Sequence, residues 1–448
     1  MIDLARIEGL LDDRPGEGVF SVHRDAFRDP QVFELEMRHI FAKTWVFLGL
    51  ESQVPNPDDY LTTSIAGTPV VVTRDSAGRL GCFLNTCRHR GAMVFNPEVG
   101  NGRVHTCPYH AWAYDSGGRC VSVAAQRGGA YSEAFERESH DLVPVARFSS
   151  YRGLMFASLS EDVPELADHL GEARTGIDLI VDQSPEGVEL VPGQVSFVYE
   201  GNWKLQLDNG SDAYHFVPTH ASYMEILRSR NSAREDPGSA SVYENLDAHR
   251  ASGRGSFTFR SGHSLMWGEN PNESQRPLHR ARAELESRVG PVRTKWMLAV
   301  RNLTLFPNVQ FAENASLQMR VIRPISVDRT EVKAWCLAPK GESAGARAHR
   351  LRQYEDFFNP SGFATPDDIA AYEACQRGHG AWQVEWQQGY SRGMQAMARG
   401  GDARSVELGL APLTCAAGDF TLGDETVFHG AYREWLRLLK KGVTEVAP

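Results

Sequence analysis

The sequence predicts an α+β protein with a small all-β domain and a larger domain of strands and long helices. Three observations lead there. Between Trp45 and Leu159, short apolar and β-branched runs are separated by Gly, Pro and Asp turns. Strand-like runs return at Leu303–Phe306, Val309–Phe311, Leu317–Ile322 and Glu331–Leu337. Helical spacing of apolar residues follows at Glu342–Phe358, Asp367–Gln387 and Glu425–Leu439. With 448 residues the chain can bury a large core and exceeds one typical domain. The expected division is a β-domain over 41–159 and a second domain made of 1–40 and 160–448.

Taken in order, residues 1–40 read as short helices, with Ile7, Leu10 and Leu11 and then Phe33, Met37 and Ile40 at helical spacing. Val46-Phe47-Leu48, Pro69-Val70-Val71-Val72 and Leu80-Gly81-Cys82-Phe83 read as strands. Glu165–Val181 is an expected amphipathic helix with Leu166, Leu170, Ile177 and Ile180 on one side, and Leu190–Tyr199 alternates like a strand. Residues 231–256, rich in Ser, Arg, Gly and Asp, are expected to form a mobile loop over a site. His263, Leu265 and Met266 follow it, and His263 reads as a packed or solvated histidine.

The net charge of −10 disfavours nucleic acid or an anionic membrane as main partner. No run is long and apolar enough to span a bilayer, and the N-terminus lacks the basic-then-apolar pattern of a signal peptide. Seven cysteines, an odd and sparse count, point to the reducing cytoplasm and to metal rather than disulfides.

Two short stretches carry the chemistry. The first is Cys87-Arg88-His89 with Cys107-Pro108-Tyr109-His110, each half presenting one sulfur and one nitrogen near glycines. Structural zinc accepts two Cys and two His, but a zinc finger keeps its Cys pair and His pair on separate elements. A [2Fe–2S] centre with two Cys on one iron and two His on the other fits the order better. Arg88 and Trp112 flank it and can tune its potential. His105 reads as a strand or turn histidine. The remaining cysteines read as small buried residues.

The second stretch runs from Asn202 to His220. On a helix, Asp208 and Asp212 (i, i+4) and Asp212 and His215 (i, i+3) share a face. Pro218 then disturbs the helix and can turn His220 back toward His215. Two histidines and one carboxylate bind Fe(II) on one face and leave the opposite positions open for O₂ and substrate. The competing reading is a surface helix with two unrelated histidines.

These motifs together resemble the large (α) subunit of Rieske non-haem iron aromatic-ring-hydroxylating oxygenases, within them the benzoate, toluate and anthranilate 1,2-dioxygenase branch. The resemblance runs through Cys87-Arg88-His89-Arg90-Gly91-Ala92, Ser150-Tyr151-Arg152-Gly153-Leu154, Tyr199 to Leu205, Asp208 to His215, Arg323-Pro324-Ile325 and Arg352 to Asn359. It implies a Rieske cluster held by Cys87, His89, Cys107 and His110, and a catalytic domain with a curved antiparallel sheet wrapped on helices. It implies His215 and His220 as ligands of a mononuclear Fe(II). The third is an acid after the Pro-x-Gly segment Pro360-Ser361-Gly362, where spacing favours Asp368 and leaves Asp367 as partner of the helix N-terminus.

The resemblance further implies that Asp212 links an iron-bound histidine to His110 of the partner subunit, which requires a ring of subunits, normally a homotrimer, with a small β subunit. Asp208 and Asn209 match the acid–amide pair before the bridging residue, where the family more often has Glu first. Electrons are expected from NAD(P)H through a separate flavin reductase or ferredoxin, since the chain lacks a dinucleotide fingerprint. The implied reaction is cis-dihydroxylation of an aromatic acid by O₂. The alternative is monooxygenation, dehalogenation or ether cleavage of a substituted acid, because Phe216 and Pro218 are bulkier than in benzoate-type members. Expected pocket walls are Phe216, Val217, Met224, Leu227, Leu305, Phe306, Phe358 and Phe363. A Rieske electron carrier without turnover is the reading from another class, and the presence of His215, His220 and Asp368 argues against it.

Overall fold

The computed structural model describes residues 3–126, 130–232, 253–418 and 423–446. The chain divides into two compact units, Met37–Leu166 and Met1–Glu36 with Ala167–Pro448. Among the described residues no helix is long and apolar enough to cross a membrane.

The smaller unit is built from antiparallel sheets. One orders its strands Leu80–Leu84, Thr68–Arg74, Asp59–Ile65 and Val99–Asn101; another orders them Arg147–Tyr151, Leu154–Ser158 and Val46–Leu50. The Thr68–Arg74 strand is apolar on both faces for a reason. Val70 and Val72 pack with Leu61 and Met155, while Val71 packs against Cys87, Cys107 and Trp112. Burying each such side chain stabilises the fold by about 1.5–3 kcal/mol. A third sheet, Val104–Thr106, Ala113–Asp115 and Cys120–Ser122, carries the second Cys/His loop between its first two strands.

The larger unit centres on a ten-stranded antiparallel sheet. Its middle is formed by β1 (Val300–Leu305), β2 (Val309–Glu313), β3 (Leu317–Ser326) and β4 (Arg329–Pro339), joined in that order. Successive side chains alternate between the two faces. Leu303 on one face lies under Gly176 of the Ala173–Val181 helix, where a Cβ would collide with the leucine. On the other face, Thr304 pairs with Gln310 and Gln310 with Arg320, so a polar row crosses three strands. Helix α1 (Trp203–Asn209) lies against this row. Helices α2 (Thr365–His379) and α3 (His429–Val446) complete the unit.

Several elements differ from the sequence expectation. The N-terminal segment contains a hairpin, Leu11–Arg14 with Val19–His23, whose second strand pairs with Trp386–Gln387. The helix expected over Asp367–Gln387 therefore ends at His379 and its last residues join a sheet. The helix expected over Glu165–Val181 breaks at Gly171, which has φ +47°, into Leu166–Leu170 and Ala173–Val181. The stretch 190–199 is likewise two strands, Val188–Leu190 and Val195–Tyr199. The loop expected over 231–256 lies mostly outside the described residues. Its described end, Arg254–Thr258, is a strand of the large sheet.

Candidate active site

The stretch from Asn202 to His220 is not one helix. Asn202 caps α1 by accepting from the Lys204 backbone N–H at 3.1 Å. The helix is pinned at this end by Glu36, whose buried carboxylate accepts from Trp203 Nε1 (2.8 Å), Lys204 Nζ (2.5 Å) and Trp435 Nε1 (2.7 Å). Three donors satisfy a charge that would otherwise be costly to bury. α1 then ends at Asn209. The carbonyl groups left open at its C-terminus are met by the sheet: Gln310 Nε2 donates to Leu207 O at 2.8 Å and Asn302 Nδ2 to Gly210 O at 2.9 Å. The approach is so close that a Cβ at Gly210 would run into the Gln310 carboxamide. Asp212 consequently sits in a turn, and the shared helix face expected for Asp208, Asp212 and His215 does not form. After a single helical turn, Phe216–Thr219, His220 precedes the helix Ala221–Ser232.

The turn brings His215 and His220 to Asp368, in the first turn of α2. His215 Nε2 lies 3.5 Å and His220 Nε2 3.3 Å from Asp368 Oδ1, and one ligand atom from each of the three lies within 4.8 Å of the others. His220 and Asp368 are buried. Burial raises the proton affinity of Asp368, but the hydrogen bond from His220 and the charges of His215, His220 and Arg320 outweigh it and leave its pKa below the usual value. Burial lowers the pKa of His215, while Asp212 and Asp368 more than reverse this. Two imidazoles and a carboxylate converging in this way can hold one divalent metal on a single face.

A second layer fixes these groups. Asp212 Oδ2 is 3.2 Å from His215 Nδ1, and Asp367 Oδ2 is 3.5 Å from His220 Nδ1. Asp367 thus faces the outer side of His220 while Asp368 faces the inner side. Asn209 Nδ2 donates to Asp368 Oδ1 at 3.1 Å and lies 3.1 Å from His215 Nε2. Asp208 points elsewhere: it accepts from Tyr390 OH at 3.0 Å and Tyr432 OH at 2.8 Å. Burial pushes its pKa up to about 7.

The triad opens into a cavity lined by both apolar and polar side chains, the character of small-molecule sites. Phe216, Val217, Trp267, Phe357 and Phe358 supply apolar walls, and Asn302, Asn314, Arg320 and Arg254 supply polar ones. Of the expected wall residues, Phe216, Val217 and Phe358 line it. Met224 and Leu227 instead pack in the core beside Phe357, and Leu305, Phe306 and Phe363 are not on its wall. The polar wall residues were not anticipated. For Arg320 the signal was its alternation with Met319 and Val321 along a central strand. His263 is fully buried, accepting from the Phe306 N–H at Nδ1 and meeting His169 O at Nε2.

In the smaller unit the two Cys/His loops are built alike. Cys87 N–H donates to Ala92 O and Cys107 N–H to Trp112 O, both at 2.8 Å. Gly91 N–H donates back to Cys87 O (2.9 Å) and Ala111 N–H to Cys107 O (3.1 Å). Gly91 and Ala111 both take positive φ, +79° and +56°, to close these loops. Cys87 and Cys107 are buried free thiols, and Tyr114 OH lies 3.3 Å from Cys87 Sγ. The His89 and His110 rings approach at 4.4 Å, and their buried Nδ1 atoms have no hydrogen-bond partner. Two thiols and two unpartnered imidazole nitrogens are the donor set of a [2Fe–2S] group with mixed ligation. His105 is engaged otherwise, with Nε2 2.6 Å from Gly102 O.

Comparison with known proteins agrees with both halves. Residues 44–143 match the Rieske [2Fe-2S] domain, and residues 189–406 match the catalytic domain of the ring hydroxylating alpha subunit. The chain is 40% identical over 99% of its length to toluate 1,2-dioxygenase subunit alpha of Pseudomonas putida, covering 96% of that protein. The chain belongs to the ring-hydroxylating dioxygenase alpha subunits. It is also 38% identical to the 2-halobenzoate 1,2-dioxygenase large subunit of Burkholderia cepacia, over 98% of this chain and 93% of that one. The crystal structure of naphthalene 1,2-dioxygenase from Rhodococcus sp. bound to indole superimposes with a TM-score of 0.80, at 26% identity and 95% coverage of each chain. As a ring-hydroxylating dioxygenase alpha subunit, the protein carries a Rieske [2Fe–2S] domain and a mononuclear-iron catalytic domain.

Proposed function

We propose that this alpha subunit cis-dihydroxylates the ring of an aromatic carboxylic acid, taking both oxygen atoms from O₂ and consuming two electrons and two protons. The observation that carries the reading is the convergence of His215, His220 and Asp368 on a cavity with aromatic walls. The acid class is supported by relatives named for toluate, 2-halobenzoate and anthranilate.

In this reading His215, His220 and Asp368 would hold the mononuclear iron, and Cys87, His89, Cys107 and His110 would hold the cluster. When bound, the iron supplies O₂ activation and the cluster supplies electrons singly. Asp212, 3.2 Å from His215 Nδ1, and Asp367, 3.5 Å from His220 Nδ1, are placed to orient those rings with Nε2 toward the metal. Asn209 holds the Asp368 carboxylate in place. Phe216, Val217, Phe357 and Phe358 hold the ring and exclude water. Asp208, set between two tyrosines behind α1, positions that helix.

Asp212 is also partly exposed, so a second imidazole can reach it from outside. We assign it the link to His110 of the partner subunit in a homotrimeric ring, with a small β subunit and a separate flavin reductase or ferredoxin as electron source, all cytoplasmic. A single turnover of reduced protein with O₂ and a panel of aromatic acids tests the reaction. Product gaining two oxygens and two hydrogens is expected. One added oxygen, or a lost halide, would move the enzyme to the monooxygenase reading.

A further inference from the structure

We propose that Arg320 is the carboxylate anchor of the substrate cavity, receiving the acid group of a single-ring aromatic acid through charge-assisted hydrogen bonds. The proposal rests on the aromatic-acid reading and names the residue that enforces it.

The starting point is the pairing of buried guanidinium groups in the larger unit. Arg276 and Arg301 both reach the Glu313 carboxylate, and Arg350 reaches Glu342 at 3.0 Å. Arg320, only 8% exposed, is different. Its Nε donates to Gln318 Oε1, and among the described residues no carboxylate lies within ion-pair distance of it. The Asp368 charge is felt by Arg320 but not met in an ion pair, so the N–H groups of the buried fork are left to take an anion that arrives beside them.

Its position fits that role. On β3, Arg320 lies directly opposite Gln310, whose side chain holds the end of α1, so Arg320 shares the sheet face turned to the iron-binding stretch. It lines the same cavity as His215, His220 and Asp368. Its guanidinium carbon is 5.5 Å from the centre of the Phe358 ring, which fixes the fork against an apolar wall. A planar fork beside an aromatic wall suits an arylcarboxylate, whose ring lies on the wall while its oxygens meet the N–H groups. Arg254, the other arginine on the cavity wall, stands several strands away along the sheet and is partly exposed.

The test is equilibrium dialysis of the holoenzyme with benzoate and with its neutral isostere benzamide, for wild type, Arg320→Met and Arg320→Lys. The thermal transition of the catalytic unit, unchanged from wild type, confirms that each variant is folded. Arg320→Met is expected to weaken benzoate by about a hundredfold and benzamide by less than about threefold. Arg320→Lys keeps the charge but not the fork, and is expected to recover part of the benzoate affinity. If Arg320→Met binds benzoate within threefold of wild type, or weakens both ligands alike, the anchor is not Arg320. If wild type binds benzamide as tightly as benzoate, the aromatic-acid reading fails and the proposal falls with it.

Discussion

In the smaller unit the four proposed cluster ligands lie in two loops of a few residues, and each loop is closed by its own pair of backbone hydrogen bonds. In the larger unit the three proposed iron ligands come from two distant segments. Each is held by contacts far along the chain: Glu36 under α1, Gln310 and Asn302 at its end, and Asp367 behind His220. The first site is a local property of its sequence, while the second depends on the whole sheet. The two sites should therefore fail independently when a ligand is removed, and only the second should respond to changes in remote packing.

The largest effects come from the ligands themselves. His220→Ala should abolish product, by more than about 10³-fold, while leaving the visible spectrum of the cluster intact. Cys107→Ser should do the converse, bleaching the cluster while the triad still takes up iron. Mutual loss in either variant would show that the two sites are not independent.

Asp212→Asn ranks next. It keeps the shape but weakens the hold on His215 and the proposed link between centres, at a cost of about 10–100-fold in turnover. Pre-reduced clusters should reoxidise slowly in the presence of substrate and O₂, with iron content close to wild type. Gly210→Ala should lower stability by about 1–3 kcal/mol, because the new methyl group collides with Gln310. In a thermal melt it should shift the transition of the catalytic unit and leave cluster bleaching where it was.

The smallest effect concerns pH. The half-buried Asp208 carboxyl has its pKa raised to about 7, above the unfolded value, so the folded chain holds a proton that the unfolded chain has released. Its contribution to stability therefore falls as pH rises from about 4 to about 7 and is flat above that. Asp208→Asn should remove this slope, measured as the difference in urea midpoint from wild type across that range.

The same contrast explains what could be read from sequence. Cys87, His89, Cys107 and His110 stand in short motifs whose loops fold on themselves, so residue order alone indicates their chemistry. His215 and His220 were legible as a pair, but the helix drawn through them was not correct. Gly210 stops α1 because the sheet approaches it there, and nothing in the local pattern records that approach. Asp368 was reachable through the Pro360-Ser361-Gly362 segment, whose glycine packs where a Cβ would meet the carbonyls of Glu355 and Asn359. The N-terminal hairpin was missed because residues 1–40 read as short helices; Phe20 and Val22 do alternate with Ser21 and His23, but the pairing with Trp386–Gln387 that fixes the strand is a tertiary fact. Arg320 was hidden for the same reason: its significance is that no carboxylate among the described residues pairs with it, which only the folded surroundings reveal.

The iron-to-sulfide ratio of Asp368→Ala beside Asp367→Ala tests the two-site arrangement most directly. Asp368→Ala should lose the one mononuclear iron and keep the irons and sulfides of its [2Fe–2S] cluster, whereas Asp367→Ala should retain most of its mononuclear iron. Full iron in Asp368→Ala, or its loss only in Asp367→Ala, would contradict the triad described here.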